Sequence, residues 1–208
     1  MTSERSRSFE FAAWLLGVPI FCMILPFGSH AQSPADDGPR YTADGSLLLP
    51  EGFRTWIFVG SNLGLSYNRN LTAMTAKEAA RVNPPQFHNV YINRTAYSYF
   101  LENNRFPEKT ILVMELFEAT EKEPIGILAT GVFDGKRTGI EVAVKNSTRP
   151  DRKPTAWAYY DFTDPSDRTK ALPVAGAFSD DACEVCHRLH ASIDNVWVQF
   201  YPALRDKM

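Results

Sequence analysis

The chain has 208 residues, 44% hydrophobic and 12% aromatic, a composition typical of a folded globular protein rather than a disordered one. Its 22 Lys and Arg residues nearly balance 24 Asp and Glu residues, and no stretch concentrates basic side chains, which argues against a nucleic-acid partner. We therefore expect one folded domain.

The N-terminal stretch has the pattern of a secretory signal peptide. Two arginines precede an apolar run at 11–27, and small residues at 29–31 give the spacing of a cleavage site. The alternative is an uncleaved membrane anchor, but two prolines interrupt the run. We expect residues 1–31 to be removed on export, which leaves a soluble periplasmic protein.

Residues 32–44 follow as a small, polar segment rich in turn-forming residues, which predicts a flexible leader. The folded domain is therefore expected over 45–208, where no internal repeat or large break divides the chain.

The domain is predicted to be mainly β-structure. Stretches rich in β-branched and aromatic residues predict strands at 53–59, 87–92, 110–118, 125–133, 139–145 and 155–162. Helical spacing predicts a helix at 94–103 behind a cap at Asn93, and a helical turn at 75–81. Because the connections between the later strands are short, the expected fold class is α+β, mainly an antiparallel sheet with a few helices.

A last helix is predicted near the C-terminus. Asp181 and Glu184 form a capping-box pattern, so this helix should start at Ala182 and carry the two cysteines at 183 and 186. Cys22 leaves with the signal peptide, so these two are the only cysteines expected in the mature chain.

Residues 183–187, Cys-Glu-Val-Cys-His, match the pattern of c-type haem attachment. Residues three apart share one face of a helix, so Cys183 and Cys186 can bond the two vinyl groups of one porphyrin. The ring then brings the His187 imidazole beneath the iron. We therefore predict one covalently attached haem c with His187 as the iron ligand. Export agrees with this, because bacteria attach haem to such motifs outside the cytoplasm.

Two other interpretations of the motif are weaker. The motif and His190 offer four ligand types to zinc, but one helix cannot wrap four side chains tetrahedrally around an ion. A thioredoxin-like redox pair would need a βαβ context, which the sequence lacks. His190 is expected on the surface or behind the iron ligand. The first Met after the motif is Met208, the last residue of the sequence, so the sixth iron position is predicted to be open.

Several ordered segments carry a family resemblance. They are the run from Leu47 to Trp56 with Val59-Gly60, Val-Tyr-Ile-Asn at 90–93, Gly-Ile-Glu-Val-Ala-Val-Lys-Asn-Ser at 139–147, Trp-Ala-Tyr-Tyr at 157–160, the haem motif, and Phe-Tyr-Pro-Ala-Leu-Arg at 200–205. Together they resemble the cytochrome P460 family from about Gly45 to Arg205.

The resemblance implies a mostly antiparallel β fold, one five-coordinate c-type haem and a homodimer. Enzymatic members of the family oxidise hydroxylamine, whereas the related cytochromes c′-β bind small gases such as nitric oxide. We expect a soluble electron-transfer partner for this chain. The family's distal carboxylate, which accepts protons from the bound substrate, matches Glu141. A base within hydrogen-bond reach of a ligand that loses protons lowers the barrier to its oxidation.

The chain departs from the family at the haem edge. P460 enzymes carry a cross-linked Lys on the strand corresponding to 110–118, and Met114 stands at that position here. Lys109 is five positions away, so on a strand it would point to the opposite face. A distal Arg of some members is matched by His88.

Three hypotheses follow for Met114. If it packs against the ring, the iron stays open and binds a small nitrogen ligand, which is the preferred interpretation. If its sulfur ligates the iron, the protein is a six-coordinate electron-transfer cytochrome. The third hypothesis is that Glu141 and His88 support hydroxylamine or peroxide chemistry without a cross-link.

Overall fold

A computed structural model describes residues 36–65, 84–121, 131–148, 156–179 and 182–206. Within these ranges lie seven strands, three α-helices and two short 3-10 turns. The strands are β1 Leu47–Leu48, β2 Ile57–Leu63, β3 Gln86–Ile92, β4 Ile111–Glu121, β5 Val132–Lys145, β6 Trp157–Asp161 and β7 Val174–Ala175. The helices are α1 Arg94–Asn103, α2 Glu184–His190 and α3 Pro202–Arg205, and the 3-10 turns are Phe53–Thr55 and Val198–Phe200.

One five-stranded sheet dominates the structure. Its strands lie in the order β2-β3-β4-β5-β6, and every neighbouring pair is antiparallel. β1 and β7 form a separate two-stranded antiparallel pair. The prediction of a mainly antiparallel sheet with a few helices is therefore confirmed.

The two faces of the sheet bury different clusters, because side chains alternate along each strand. The face that carries Val90, Leu112 and Tyr159, here called the site face, packs against α1 and the segment 196–204. The back face carries Val113, Val142 and Tyr160. It packs against Leu47 of β1, Ala175 of β7 and Phe53. The functional residues discussed below lie on or against the site face.

Some predicted strand boundaries were wrong. The predicted strand 53–59 begins with a 3-10 turn, and β2 starts only at Ile57, because Gly52 takes a left-handed backbone (φ 65°) that turns the chain. The predicted strand 139–145 is the second half of the longer strand β5. The pairing of β5 with β4 contains register shifts, and the strand continues through them. Of the predicted strand 125–133, residues 125–130 lie outside the described residues, as do the helical turn 75–81 and residues 1–31.

The start of α1 also differs from the prediction. Asn93 precedes the helix, but its side chain makes no capping hydrogen bond. Its Oδ1 accepts from the Ile111 amide at 2.9 Å, and its Nδ2 donates to the Lys109 carbonyl oxygen at 3.2 Å. Asp37 caps α1 instead, accepting from the Thr95 amide at 3.1 Å. Asp37 makes this contact with the folded domain from within the predicted leader of residues 32–44.

A buried ion cluster anchors the back face of the sheet. The Glu115 side chain is 1% exposed, and Arg54 binds both of its carboxylate oxygens, at 2.9 and 2.5 Å. A second guanidinium, from Arg137, lies 3.5 Å from the same carboxylate. Bidentate guanidinium pairing compensates for the desolvation of the buried charge.

Replacing Arg54 by methionine should destabilise the fold by about 1–2 kcal/mol, because the buried Glu115 charge then keeps only its longer contact to Arg137. The midpoint of urea unfolding, followed by circular dichroism, measures the loss. Arg40→Met is the matched control, because Arg40 pairs with Glu51 in an exposed ion pair and its loss should leave the midpoint unchanged. Equal midpoints for the two variants would contradict the prediction.

No helix within the described ranges is long and apolar enough to cross a membrane.

Candidate functional site

The haem-type motif begins one residue before α2. Cys183 is the residue that precedes the helix, with a non-helical φ of −132°, and its carbonyl accepts the first helical hydrogen bond from the His187 amide at 3.1 Å. The helix therefore starts at Glu184 and not at Ala182. Ala182 lies in a turn, and its backbone amide donates to the Ser179 carbonyl oxygen. Asp181 lies outside the described residues, so the predicted capping box is not seen.

The two cysteines are reduced and half-buried. Cys183 packs against the apolar cluster of the site face. Burial, together with the charges of Glu141 and Cys186, raises the pKa of its thiol to about 11. A redox-active cysteine pair needs a lowered pKa to supply thiolate at neutral pH. The electrostatics therefore disfavour the thioredoxin-like interpretation.

The His187 ring is fixed on three sides. Its Nδ1 lies 2.9 Å from the Asn195 carbonyl oxygen, so Nδ1 carries the proton and Nε2 keeps its lone pair. Tyr159 of the site face lies against the ring, with centroids 4.5 Å apart, and Trp197 meets it edge-on at 5.4 Å. Burial lowers the pKa of His187, so the imidazole is neutral at physiological pH.

The Asn195 carbonyl is a functional group that the sequence analysis missed. Asp194 and Asn195 both have left-handed backbones, with φ of 46° and 63°, and this turn directs the carbonyl at His187. The Asn195 side chain also donates to Glu184 of α2 at 3.3 Å. Asp and Asn tolerate the left-handed region better than other residues, so the Asp-Asn pair was an available signal for a turn. Its contact with His187 depends on the fold.

The structure brings the predicted ligand-side residues onto the site face. Met114 of β4 lies directly opposite Glu141 of β5, and Val90 of β3 lies on the other side of Met114. His88 is two residues before Val90, so it shares this face. Met114 packs against the same cluster as Cys183. The interpretation of these residues as one site is therefore geometrically consistent, although their roles stay predictions.

Glu141 is solvent-accessible yet closely surrounded by protein. The surrounding protein raises the pKa of its carboxyl group, and the adjacent Asp161 raises it further, whereas Arg168 opposes the shift. His88 is half-buried, and desolvation lowers the pKa of its imidazole. The site therefore contains a carboxylate of increased basicity and a neutral imidazole.

Lys109 lies away from this group, for a reason other than the one predicted. It is not on a strand at all, because β4 begins at Ile111, and Lys109 takes a left-handed backbone with φ of 66°. Its amide donates to the Lys145 carbonyl and its own carbonyl accepts from Asn93. Lys109 belongs to the turn between α1 and β4.

His190 is exposed on the last turn of α2. The backbone carbonyl of His190 accepts a hydrogen bond from the Gln199 side chain. Among the residues that the structure describes, no three His, Cys, Asp or Glu side chains are grouped closely enough to hold a metal ion.

The residues fit a c-type haem. The motif supplies two reduced thiols at one helix end, and His187 is a neutral imidazole whose Nδ1–H is already bonded to a carbonyl, as in iron-ligating histidines. An apolar face with an accessible carboxylate lies beside them. One contact must change on ligation, because the Trp197 indole N–H donates to His187 Nε2 at 3.3 Å.

Comparison with known proteins agrees with this fit. A family model described as cytochrome P460 matches residues 50–198, a range that includes the sheet and the Cys-Glu-Val-Cys-His motif. No curated protein matches the chain.

Proposed function

The chain belongs to the cytochrome P460 family, and from this we propose that it is a periplasmic c-type cytochrome that binds a small nitrogen ligand, hydroxylamine or nitric oxide, at an open iron site. The family implies haem binding. The observation that carries the finer proposal is the position of Glu141, which lies on the site face opposite Met114 and within electrostatic reach of Cys183.

In this proposal α2 holds the cofactor. Cys183 and Cys186 would hold the haem through thioether bonds to its two vinyl groups, an addition that needs no oxidant, and Nε2 of His187 would be the iron ligand. When bound, the haem supplies a redox-active iron with one position for a ligand. The Asn195 carbonyl fixes the tautomer of His187 and strengthens it as a ligand.

Glu141 and His88 act on the ligand side. Hydroxylamine loses protons as it loses electrons, and the raised pKa of Glu141 makes its carboxylate a better proton acceptor at neutral pH than an ordinary glutamate. His88 is neutral, so it can donate one hydrogen bond and accept another. Neither residue requires a lysine cross-link.

Met114 is proposed to pack beside the ring. Its side chain is half-buried within the apolar cluster of the site face, which is the commonest role of a strand methionine. The iron then keeps its sixth position for an external ligand. The further proposal of a homodimer comes from the family resemblance, and a soluble electron-transfer partner is proposed in addition.

Absorption spectroscopy of the exported, haem-loaded protein tests the proposal. We expect a five-coordinate ferrous haem without the strongly red-shifted Soret band of a P460 cross-link, and a spectral change on adding nitric oxide or hydroxylamine. Met114→Leu should leave the coordination unchanged. A six-coordinate spectrum that becomes five-coordinate in this variant would identify Met114 as a ligand and replace the open-site proposal with electron transfer.

A further inference from the structure

A second charged side chain reaches the site face from a loop. Arg168 lies in the loop that follows β6, and its guanidinium approaches Gly139 of β5 so closely that a Cβ placed on the glycine would be 3.7 Å from a terminal nitrogen. The same Cβ would be 3.0 Å from both Leu116 and Thr163. The guanidinium of Arg168 thus lies at van der Waals distance from position 139, whereas Leu116 and Thr163 are the neighbours that leave little space for a side chain there.

The register places Arg168 beside the proposed ligand-side residues. Gly139 pairs with Leu116 of β4, and Leu116 pairs with His88 of β3, so these three positions form a row across the site face. Glu141 is two residues beyond Gly139 and points to the same face. The Arg168 charge lowers the pKa of the Glu141 carboxyl, opposing the effects of burial and Asp161, which is consistent with this placement.

The loop holds its shape without using the Arg168 side chain. Arg137 donates to the Thr169 carbonyl at 2.5 Å, and Asp167 accepts from both the amide and the hydroxyl of Thr169. Asp164 bonds Ser166 in the same way, at 2.8 and 2.7 Å. Arg168 itself is exposed, so its guanidinium is accessible to a ligand.

We propose that Arg168 is the cationic residue of the ligand site and that it enables the site to bind small anions, such as nitrite or azide, in addition to the neutral ligands of the proposed function. This inference rests on the proposed function. The resemblance places a distal arginine at position 88, but His88 is neutral here and supplies no positive charge. Arg168 provides that charge from a different element. A guanidinium is permanently charged, and its planar array of donors suits an anion better than a neutral ligand.

The test measures ligand binding to the ferric, haem-loaded protein by optical titration with azide, nitrite and neutral imidazole. Arg168→Gln should weaken azide and nitrite binding by about tenfold or more and leave imidazole binding within about twofold, because only the anions lose a charged partner. Arg168→Lys should retain part of the anion affinity. Arg105→Gln is the matched control, since Arg105 is an exposed arginine of the α1 C-terminal region that bonds Tyr99.

Two results would overturn the inference while leaving the proposed function intact. One is unchanged anion affinity in Arg168→Gln, and the other is an equal loss of azide and imidazole binding, which indicates a disturbed pocket rather than a lost charge. Failure of the proposed function is recognised separately, before any variant is made, because the wild-type protein would then lack haem or bind none of the three ligands.

Discussion

Cys183→Ala combined with Cys186→Ala should abolish covalent haem attachment. No other cysteine lies in the described residues, so the thioethers have no substitute sulfur. The intact mass of the exported variant should equal that of its polypeptide alone, whereas the wild-type protein should carry the added mass of one haem. Haem absorbance in a denaturing gel gives the same readout independently of folding.

Three variants make this experiment specific. Cys183→Ala alone should retain haem through one thioether, at reduced yield. His187→Ala should retain covalent haem but change its ligand spectrum, because it removes the proposed iron ligand and not a thiol. His190→Ala should behave as wild type, since that side chain is exposed. A wild-type protein without added mass would contradict the cofactor proposal itself.

Glu141→Gln should lower the rate of hydroxylamine oxidation by about 100- to 10,000-fold, the usual contribution of a positioned general base. The amide keeps the size of the side chain but cannot accept a proton. In the wild-type protein the active form is the carboxylate, whose pKa lies above the ordinary value of 4.5. The rate should therefore rise as the pH increases through this raised pKa, and the Gln variant should lack that rise. Stopped-flow reduction of the ferric protein measures both quantities.

Asp161→Asn separates a catalytic effect from a structural one. The Asp161 charge is one cause of the raised pKa of Glu141, so its removal should shift the pH dependence to lower pH without abolishing the reaction. Glu102→Gln, an exposed change on α1, should leave the profile unaltered. Wild-type rates in Glu141→Gln at every pH would exclude Glu141 as the proton acceptor.

Local patterns account for the parts of the fold that the sequence predicted. Alternating side chains and short connections depend on neighbours along the chain, so they indicated the antiparallel arrangement of β3 to β6 correctly. Dependence on neighbouring residues also explains the wrong prediction of the helix cap. Asn93 looked like a helix cap, but the cap comes from Asp37, 58 residues before Thr95 in the chain. A pattern read from adjacent residues cannot reveal a partner that distant.

In the candidate site, too, the sequence predicted the residues that carry a local motif or a family resemblance and missed those brought in by the fold. The haem motif is contiguous and could be recognised directly, and the resemblance supplied His88, Met114 and Glu141. The Asn195 carbonyl and Arg168 carried no motif, because a backbone oxygen has no residue identity and a loop arginine resembles any solvated charge. Their contribution depends on a left-handed turn and on the close approach to Gly139. Only the folded chain brings them to the site.

The alternation of Met114 and Glu115 along β4 gives adjacent residues separate tasks. One side chain faces the proposed reaction site and the next anchors the buried charges of the back face. A substitution at position 114 would therefore alter the surroundings of the proposed ligand, whereas one at position 115 would leave Arg54 and Arg137 without their shared carboxylate.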